Sequence, residues 1–281
     1  MATISTKQLK LTSTYSVNIM ESLPKNFDPT RSYPLLCYLV GAGEIGLDAT
    51  KLTVNGPFAN ATIRNGGDVG DLIIIALQYQ NANPRPSEVQ LYVNALNANY
   101  KINALIASGI SRGSQCWDWY VGAAESNLKQ LAAMAIASSE GPPTDSKDAP
   151  CGWYPQWFKD CNVPYWAVSG DQDQFYSNIN ATCILTRYNQ LKAVAPQLAF
   201  LDVFPGLGHS SAVWSKFYDP AWISSAVGKS LYQWAVSFGT SAVVTPPVTA
   251  PPPVTTPPPT PTKTIVSVTV TYSDGTTSII H

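Results

Sequence analysis

Three polar residues with complementary chemistry follow three apolar segments of this chain. Ser111 is the centre of a Gly-Ile-Ser-Arg-Gly turn, Asp173 ends the sequence Gly-Asp-Gln-Asp, and His209 ends the sequence Gly-Leu-Gly-His. A serine hydroxyl becomes a nucleophile when an imidazole removes its proton, and a carboxylate holds that imidazole in the required tautomer. Ser, Asp, His is one of the chain orders in which such triads occur. The pattern predicts nucleophilic attack on an acyl carbon.

Histidine is scarce in this chain, which contains only two, and one of them is the terminal His281. His209 follows the late apolar run 198–204, where it could take the proton of Ser111 and return one to a leaving group. A structural histidine in a loop is the competing interpretation. We favour the catalytic role because His209 follows a predicted strand and is the only internal imidazole.

The acid of the triad has two candidates. Asp173 lies at the loop-tip position that this chain order requires, and it would fix the tautomer of His209. Asp171 lies two residues earlier and competes for the same role. One of the two aspartates would then cap the following turn. Asp173 is the preferred acid.

An oxyanion that forms near Ser111 needs two backbone donors. The first is the N–H of Arg112, because the residue after the nucleophile opens a predicted helix whose N-terminus carries a partial positive charge. The second is the N–H of Ala42, in the Gly-Ala-Gly-Glu sequence that follows the apolar run 35–39. A plain glycine-rich turn at Ala42 is the alternative.

The elements that position these residues are predicted from apolar runs bounded by turn residues. Runs that are apolar on both faces suit the central strands of a mainly parallel sheet, and helical stretches fall between them. The predicted buried strands are 35–40, 72–77, 104–107, 131–137, 163–168 and 198–204, with an early antiparallel strand at 15–20. The predicted helices are 113–129, 181–193 and 222–238, the last with Gly239 as its C-cap.

The composition excludes several function classes. Of the 281 residues, 45 % are apolar and 12 % are charged, and the net charge of -1 offers no basic surface for nucleic acid. No apolar stretch approaches the roughly 20 residues that cross a bilayer. The N-terminus lacks a secretory signal pattern, whereas the linker composition and the low charge favour an extracellular location.

The cysteines indicate no metal site, because no clustered Cys/His spacing occurs and no cofactor motif is present. Cys37 and Cys116 fall in apolar surroundings and are predicted to be buried thiols. Cys151 and Cys161 bracket a tryptophan-rich loop and could pair in an oxidising compartment.

The C-terminal part differs in composition from the rest, which predicts a catalytic domain at 1–242, a Pro/Thr-rich linker at 243–263 and a β-hairpin tail at 264–281. The linker should be extended and semi-rigid. A lone hairpin is marginally stable in water, so the tail should dock on its own domain, on a partner or on its own copies. A disordered tail is the alternative.

Aromatic residues provide candidate substrate contacts. Trp153 and Trp157 lie in a Pro- and Gly-flanked loop between strands, and Trp214 follows His209. Loops at that sheet edge build substrate sites, and aromatic faces stack on sugars or aryl groups. A packing role for these side chains is the alternative. Trp117 and Tyr120, on the helix after Ser111, are predicted to belong to the core.

Four ordered motifs resemble those of a known enzyme group. The segment from Pro34 reads Pro-Leu-Leu-Cys-Tyr-Leu-Val-Gly-Ala-Gly-Glu-Ile-Gly, and the turn at Ser111 reads Gly-Ile-Ser-Arg-Gly-Ser. The segment from Pro164 reads Pro-Tyr-Trp-Ala-Val-Ser-Gly-Asp-Gln-Asp, and that from Gly208 reads Gly-His-Ser-Ser-Ala-Val-Trp, with Tyr-Asp-Pro and Trp222 behind it. They are similar to motifs of α/β-hydrolase esterases related to polyhydroxybutyrate depolymerases, feruloyl and acetylxylan esterases, and so-called predicted peptidases.

The resemblance covers about residues 20–238 and implies the α/β-hydrolase fold, with helices on both faces of the sheet. It implies carboxylic ester hydrolysis through an acyl-enzyme on Ser111, assisted by His209 and Asp173. The most fitting substrate is an acyl group on a polysaccharide. Two alternatives stay open: a catalytically silent hydrolase fold that binds a glycan, and an esterase that is part of a larger extracellular or virion assembly.

The chain departs from the family pattern at three positions. Val40 replaces a histidine before the Gly-Ala-Gly-Glu turn, and Ser114 replaces a glycine of the elbow, which adds bulk where helix and strand meet. Arg112 occupies a position that is usually uncharged. We expect Arg112 to form a salt bridge with Asp118 or Glu125, and the alternative is that it favours an acidic substrate.

Overall fold

The structure, a computed structural model, describes residues 1–81, 84–141, 153–177, 183–240, 268–271 and 277–280. The chain divides into two compact units, Met1–Val243 and Val244–His281.

The first unit contains one sheet with helices between its strands. Its strands are β1 Thr3–Lys10, β2 Ser16–Leu23, β3 Tyr33–Leu39, β4 Ile73–Gln78, β5 Ile102–Ile110, β6 Ala133–Ala137, β7 Tyr165–Gly170 and β8 Ala199–Phe204. Its helices over the described residues are α1 Ala61–Arg64, α2 Pro86–Asn99, α3 Arg112–Ala123, α4 Glu125–Leu128, α5 Pro155–Cys161, α6 Ile184–Val194, α7 Ser211–Phe217 and α8 Leu231–Thr240.

The core lies on both faces of the sheet. Every residue of β3, β4, β6 and β7 is buried. Successive side chains of a strand point to opposite faces, so continuous burial means that both faces are covered. The six predicted apolar runs are the six strands from β3 to β8, which confirms the expected mainly parallel sheet.

The strand order is β1-β2-β4-β3-β5-β6-β7-β8. β1, β2 and β4 pair antiparallel, and the strands from β4 through β3 to β8 pair parallel. β3 lies between β4 and β5, so the chain winds in opposite directions from it, and ligand sites of open α/β sheets form at such a switch point. The register places Leu39 opposite Gly109 and Ile110 opposite Ala137, which brings the loops after β3, β5 and β6 side by side.

Two predicted helices differ from those observed. The stretch 113–129 forms α3 and α4 rather than one helix, because Ala124 has the extended angles φ -160° and ψ 140°. The Asn127 side chain donates a hydrogen bond to the Tyr120 carbonyl at 2.7 Å and so satisfies a carbonyl of the last turn of α3.

The last predicted helix begins nine residues late, at Leu231 instead of residue 222. The intervening chain wraps around the buried Asp202 carboxylate, which accepts hydrogen bonds from the Ser224 hydroxyl at 2.5 Å and the Ser225 N–H at 3.1 Å. Gly239 lies inside α8 and is not its C-cap, so that prediction was wrong. A Cβ at Gly239 would lie 2.6 Å from the Cδ atom of Pro34, so the glycine serves close packing of α8 on β3.

Several elements were not predicted from the sequence: β1, α2, α5 and α7. β1 is an edge strand in which only Leu9 is fully buried, so it has no apolar pattern to detect. α2 did carry a signal. Its buried residues Val89, Tyr92, Val93 and Leu96 follow the spacing of one helical face.

A buried ion pair joins α3 to α6. The Arg187 guanidinium contacts the Asp118 carboxylate, which also accepts a hydrogen bond from the Ser139 hydroxyl, and both charged side chains are wholly buried. The guanidinium carbon lies 5.6 Å from the ring centre of Trp153 and 5.7 Å from that of Tyr165. Asp118 is therefore the partner of Arg187 and not of Arg112, contrary to the sequence-based expectation.

In the second unit, β9 Val268–Thr271 and β10 Thr277–Ile280 pair antiparallel, with Thr271 opposite Thr277. The predicted linker 243–263 lies outside the described residues. Cys37 and Cys116 are buried free thiols, as predicted. Cys161 is also a free thiol, and Cys151, its expected partner, is outside the described residues. Over the residues that the structure describes, no helix combines the length and apolarity needed to span a bilayer.

Removing one member of the Asp118–Arg187 pair should strongly destabilise the first unit, because the other charge stays buried without a counter-charge. We expect Asp118→Ala to lower the free energy of unfolding by about 3–5 kcal/mol in urea titrations. Replacing both charges, with Asp118→Leu and Arg187→Met, should recover most of the loss. A single variant as stable as the wild type would contradict this assignment.

Candidate active site

Ser111 lies at a sharp turn between β5 and α3. Its backbone has φ 47° and ψ -118°, an orientation that L-residues rarely adopt and that exposes a side chain at the tip of a strand-to-helix turn. The Ser111 N–H donates to the Ala137 carbonyl of β6 at 2.9 Å, which ties the turn to the neighbouring strand. A Cβ at Gly113 would lie 2.0 Å from the Leu39 carbonyl oxygen, so only glycine lets α3 approach the end of β3 this closely.

The three predicted polar residues form one hydrogen-bonded chain. The Nε2 atom of His209 lies 2.9 Å from the Ser111 hydroxyl oxygen. Its Nδ1 atom lies 3.1 Å and 3.3 Å from the two carboxylate oxygens of Asp173. Because the carboxylate can only accept, Nδ1 carries the proton and donates it, and Nε2 accepts from Ser111. This arrangement can move a proton from the hydroxyl to the imidazole and stabilise the resulting imidazolium.

Asp173, not Asp171, contacts the imidazole. The loop after β8 lies directly on the end of β7, since a Cβ at Gly170 would be only 1.9 Å from the Leu207 carbonyl oxygen. This contact brings His209 over Asp173. The Asp171 carboxylate instead accepts a hydrogen bond from the Gly206 N–H at 2.8 Å, so it caps the turn after β8.

The surroundings of Asp173 favour its charged form. Burial raises the pKa of this carboxyl, but hydrogen bonds from His209, the Phe175 N–H and Ser138 outweigh burial and hold its pKa below the ordinary value of 3.8. The Phe175 N–H donates at 2.9 Å. Asp173 therefore stays ionised at neutral pH and can orient His209.

Two aromatic rings flank the imidazole. The ring of Phe175 is 5.1 Å from that of His209, at 78°, and the ring of Trp214 is 5.2 Å away, at 83°. Trp214 was predicted as a substrate residue and does lie at the site. Phe175 was missed, because nothing in its loop sequence distinguishes it from a surface aromatic. Ser138 was also missed, although it directly follows a predicted strand.

The two predicted oxyanion donors lie on adjoining segments. Arg112 is the first residue of α3, and the N–H groups of a first turn point out of the helix. Ala42 begins a short 3-10 turn, Ala42–Glu44, directly after β3. Contact between the segments is close, since a Cβ at Gly41 would lie 3.1 Å from the Ile110 side chain. The role of both N–H groups as oxyanion donors stays a prediction.

Glu44 holds the turn that carries Ala42. Its buried carboxylate accepts hydrogen bonds from the Gly41 N–H at 3.0 Å, the Asn55 N–H at 3.0 Å and the Tyr38 hydroxyl at 3.2 Å. Burial raises the pKa of Glu44 above its ordinary value in spite of these hydrogen bonds. The carboxylate sets the direction of the Gly-Ala-Gly backbone and was not singled out from the sequence.

The three departures from the family pattern are accommodated. The Ser114 hydroxyl donates to the Ala137 carbonyl at 2.9 Å, and the Val40 carbonyl accepts from the Tyr79 hydroxyl at 2.8 Å. The Arg112 guanidinium lies 3.7 Å from the Glu140 carboxylate, and both side chains are partly exposed. Its predicted partners, Asp118 and Glu125, were therefore wrong.

Trp153 and Trp157 pack against other aromatic rings. The Trp153 ring lies 4.6 Å from Phe158 and 4.9 Å from Tyr165, and the Trp157 ring stacks on Tyr154 at 4.0 Å. These contacts support the packing alternative, and a contribution to substrate binding stays a prediction. Trp117 and Tyr120 are buried, as predicted. Among the described residues, no cluster of three or more His, Cys, Asp or Glu side chains could hold a metal ion.

The lowered pKa of Asp173 predicts a specific pH dependence of stability. A carboxyl with a lowered pKa stabilises the folded state above its unfolded-state pKa, about 3.8, and this contribution is lost as the pH falls through the folded-state pKa. We expect the stability difference between the wild type and Asp173→Asn, measured by urea unfolding, to shrink as the pH falls from 6 to 2. A difference that is constant over this range would contradict the lowered pKa.

Comparison with protein families gives no match to any family profile, and no curated protein matches the chain. Solved structures do match. A serine-to-alanine variant of the feruloyl esterase module from Clostridium thermocellum, complexed with sinapinate, is 16 % identical with a TM-score of 0.53, over 75 % of this chain and 83 % of that chain. A ferulic acid esterase is 14 % identical with a TM-score of 0.51, over 78 % and 95 %.

A third structure, brefeldin A esterase, a bacterial homologue of human hormone-sensitive lipase, is 13 % identical with a TM-score of 0.55, over 85 % of this chain and 77 % of that chain. At these identities the likeness concerns the fold. Together with the strand order, it shows that the first unit has the α/β-hydrolase fold.

Proposed function

We propose that this protein is a serine hydrolase of carboxylic esters that acts through an acyl-enzyme. The observation that carries the proposal is the position of His209, whose two ring nitrogens lie 2.9 Å from the Ser111 hydroxyl and 3.1 Å from the Asp173 carboxylate. An imidazole between a hydroxyl and an ionised carboxylate activates the hydroxyl as a nucleophile.

In the first half-reaction, the Ser111 oxygen attacks the ester carbonyl carbon while the Nε2 atom of His209 takes the hydroxyl proton. The negative charge moves to the carbonyl oxygen, which the N–H groups of Arg112 and Ala42 stabilise. The intermediate then collapses: the bond to the alcohol oxygen breaks, and His209 returns the proton to the departing alcohol. Asp173 stabilises the imidazolium while it exists.

In the second half-reaction, a water molecule replaces the alcohol. His209 removes one proton of the water as its oxygen attacks the acyl carbon of the Ser111 ester. Collapse of this second intermediate breaks the bond to the Ser111 oxygen, which recovers its proton from His209. The products are one carboxylic acid and the regenerated serine, and every proton transfer uses a residue of this chain.

Acyl groups on polysaccharides are the proposed substrate class. The rings of Phe175 and Trp214 beside His209 are partly exposed and offer apolar surface to a sugar or to an aryl acyl group. Two of the similar structures are feruloyl or ferulic acid esterases, and the former was solved with sinapinate, which supports a substrate of this type.

Substitution of the nucleophile tests the mechanism. We expect Ser111→Ala to reduce hydrolysis of p-nitrophenyl acetate to the uncatalysed rate, because no other hydroxyl contacts Nε2 of His209 in the described part of the chain. A fluorophosphonate probe should label the wild type at Ser111, as located by mass spectrometry, and should not label the variant. Circular dichroism establishes that the variant is folded.

The acid provides a matched pair of controls. Asp173→Asn should lower kcat on the order of 10³–10⁴-fold, whereas Asp171→Asn, two residues away and not in contact with His209, should retain most of the activity. Undiminished turnover in Ser111→Ala would refute the mechanism. A wild type that neither hydrolyses esters nor reacts with the probe would favour a silent glycan-binding protein.

The substrate class is tested by comparing product release from four esters. We expect acetylated xylan or a feruloylated sugar to be hydrolysed with a higher kcat/KM than a polyester film or a methyl glucuronate, because a partly exposed aromatic wall fits a sugar or aryl group. Preference for the methyl glucuronate would instead indicate that Arg112 binds a substrate carboxylate.

A further inference from the structure

Ser138 occupies the one strand end between the nucleophile and the acid. It directly follows β6, which lies between β5 and β7, and its N–H donates to the Val168 carbonyl of β7 at 2.9 Å. The residue is wholly buried. Ser111 follows β5 and His209 follows β8, so residues from four adjacent parallel strands meet at this edge.

The Ser138 hydroxyl links the supports of the base and of the acid. It accepts a hydrogen bond from the Trp214 indole N–H at 3.0 Å, and the Trp214 ring packs against the imidazole of His209. The same hydroxyl forms a hydrogen bond with the Asp173 carboxyl. Asp173, His209, Trp214 and Ser138 therefore form a closed ring of contacts.

The chemistry of these groups determines the direction of each hydrogen bond. An indole N–H can only donate, so the Ser138 oxygen must accept from Trp214. An ionised carboxylate can only accept, so Ser138 must donate its own hydrogen to Asp173. One hydroxyl has the single donor and the free lone pair that both bonds need. An alanine, a glycine or a carboxylate at this position could not make both.

The backbone of Ser138 indicates that the hydroxyl is used. Its φ angle of 51° is in the left-handed region, where glycine and asparagine are favoured over serine. Only two other non-glycine residues of the described chain have a positive φ, and one of them is Ser111. Residues in this region cluster where the surrounding structure imposes a functional geometry.

We propose that Ser138 and Trp214 are positioning residues for catalysis, which hold the carboxylate of Asp173 and the ring of His209 in one fixed relation. The proposal rests on the hydrolase function above. Trp214 then acts through His209, in addition to any contact with substrate, and Ser138 acts through Asp173. Neither takes part in proton transfer.

Two substitutions remove the link at different atoms. Ser138→Gly deletes the hydroxyl and relieves the left-handed backbone, so the protein should be about as stable as the wild type in urea unfolding. Trp214→Phe keeps an aromatic ring against His209 and deletes only the indole N–H. Each variant should lower kcat for p-nitrophenyl acetate about tenfold and leave KM unchanged. Trp222→Phe, which stacks on Trp166 away from the imidazole, is the matched control and should retain full kcat.

A coupling experiment separates positioning from a merely structural role. Because Ser138 acts through Asp173, Ser138→Gly should cost about tenfold in kcat in the wild type and nothing further in Asp173→Asn. An equal loss in both backgrounds, or a loss that follows reduced stability, would overturn the proposal. So would an unchanged kcat in Ser138→Gly and Trp214→Phe. If Ser111→Ala still hydrolyses the ester, the proposed function itself has failed, and these two results are distinguishable.

Discussion

At Gly113 the backbone of the nucleophile helix lies on the carbonyl of Leu39, so closely that any side chain there would displace the helix from the sheet. The same type of contact recurs at Gly170, where the loop that carries His209 rests on the end of β7. Hydrogen-bond reach between Ser111, His209 and Asp173 depends on both contacts, because each brings a loop about one side-chain layer nearer to the sheet edge. A network that works over about 3 Å tolerates little displacement.

Electrostatics separates the carboxylate that faces the imidazole from those that hold the scaffold. Asp202 and Glu44 are surrounded by backbone N–H and hydroxyl donors that order a loop, and Asp118 is matched by Arg187. Asp173 instead directs its oxygens at a group that titrates near neutral pH. In a chain with 12 % charged residues, each buried charge has an identifiable partner. Burial without partners would cost far more than such a fold can supply.

Much of the site could be predicted because its residues sit at the ends of apolar runs. A parallel sheet aligns the carboxyl ends of its strands, so the positions of Ser111 and His209 after predicted strands implied that they would meet. The choice of Asp173 over Asp171 was a prediction about loop geometry, and the structure agrees with it. The predicted partners of Arg112 were wrong, because the position of Arg187 on α6 could not be derived from local pattern.

The sequence by itself determined the order of the strands along the chain, the identity of the serine, acid and base, and the change in composition near residue 243. These depend on local periodicity and on motifs of a few residues. The tertiary structure alone decided which side chains surround that triad: Phe175, Trp214, Ser138 and Glu44. They come from loops far apart in the chain, and only the close packing of strand ends, which no local pattern encodes, brings them together.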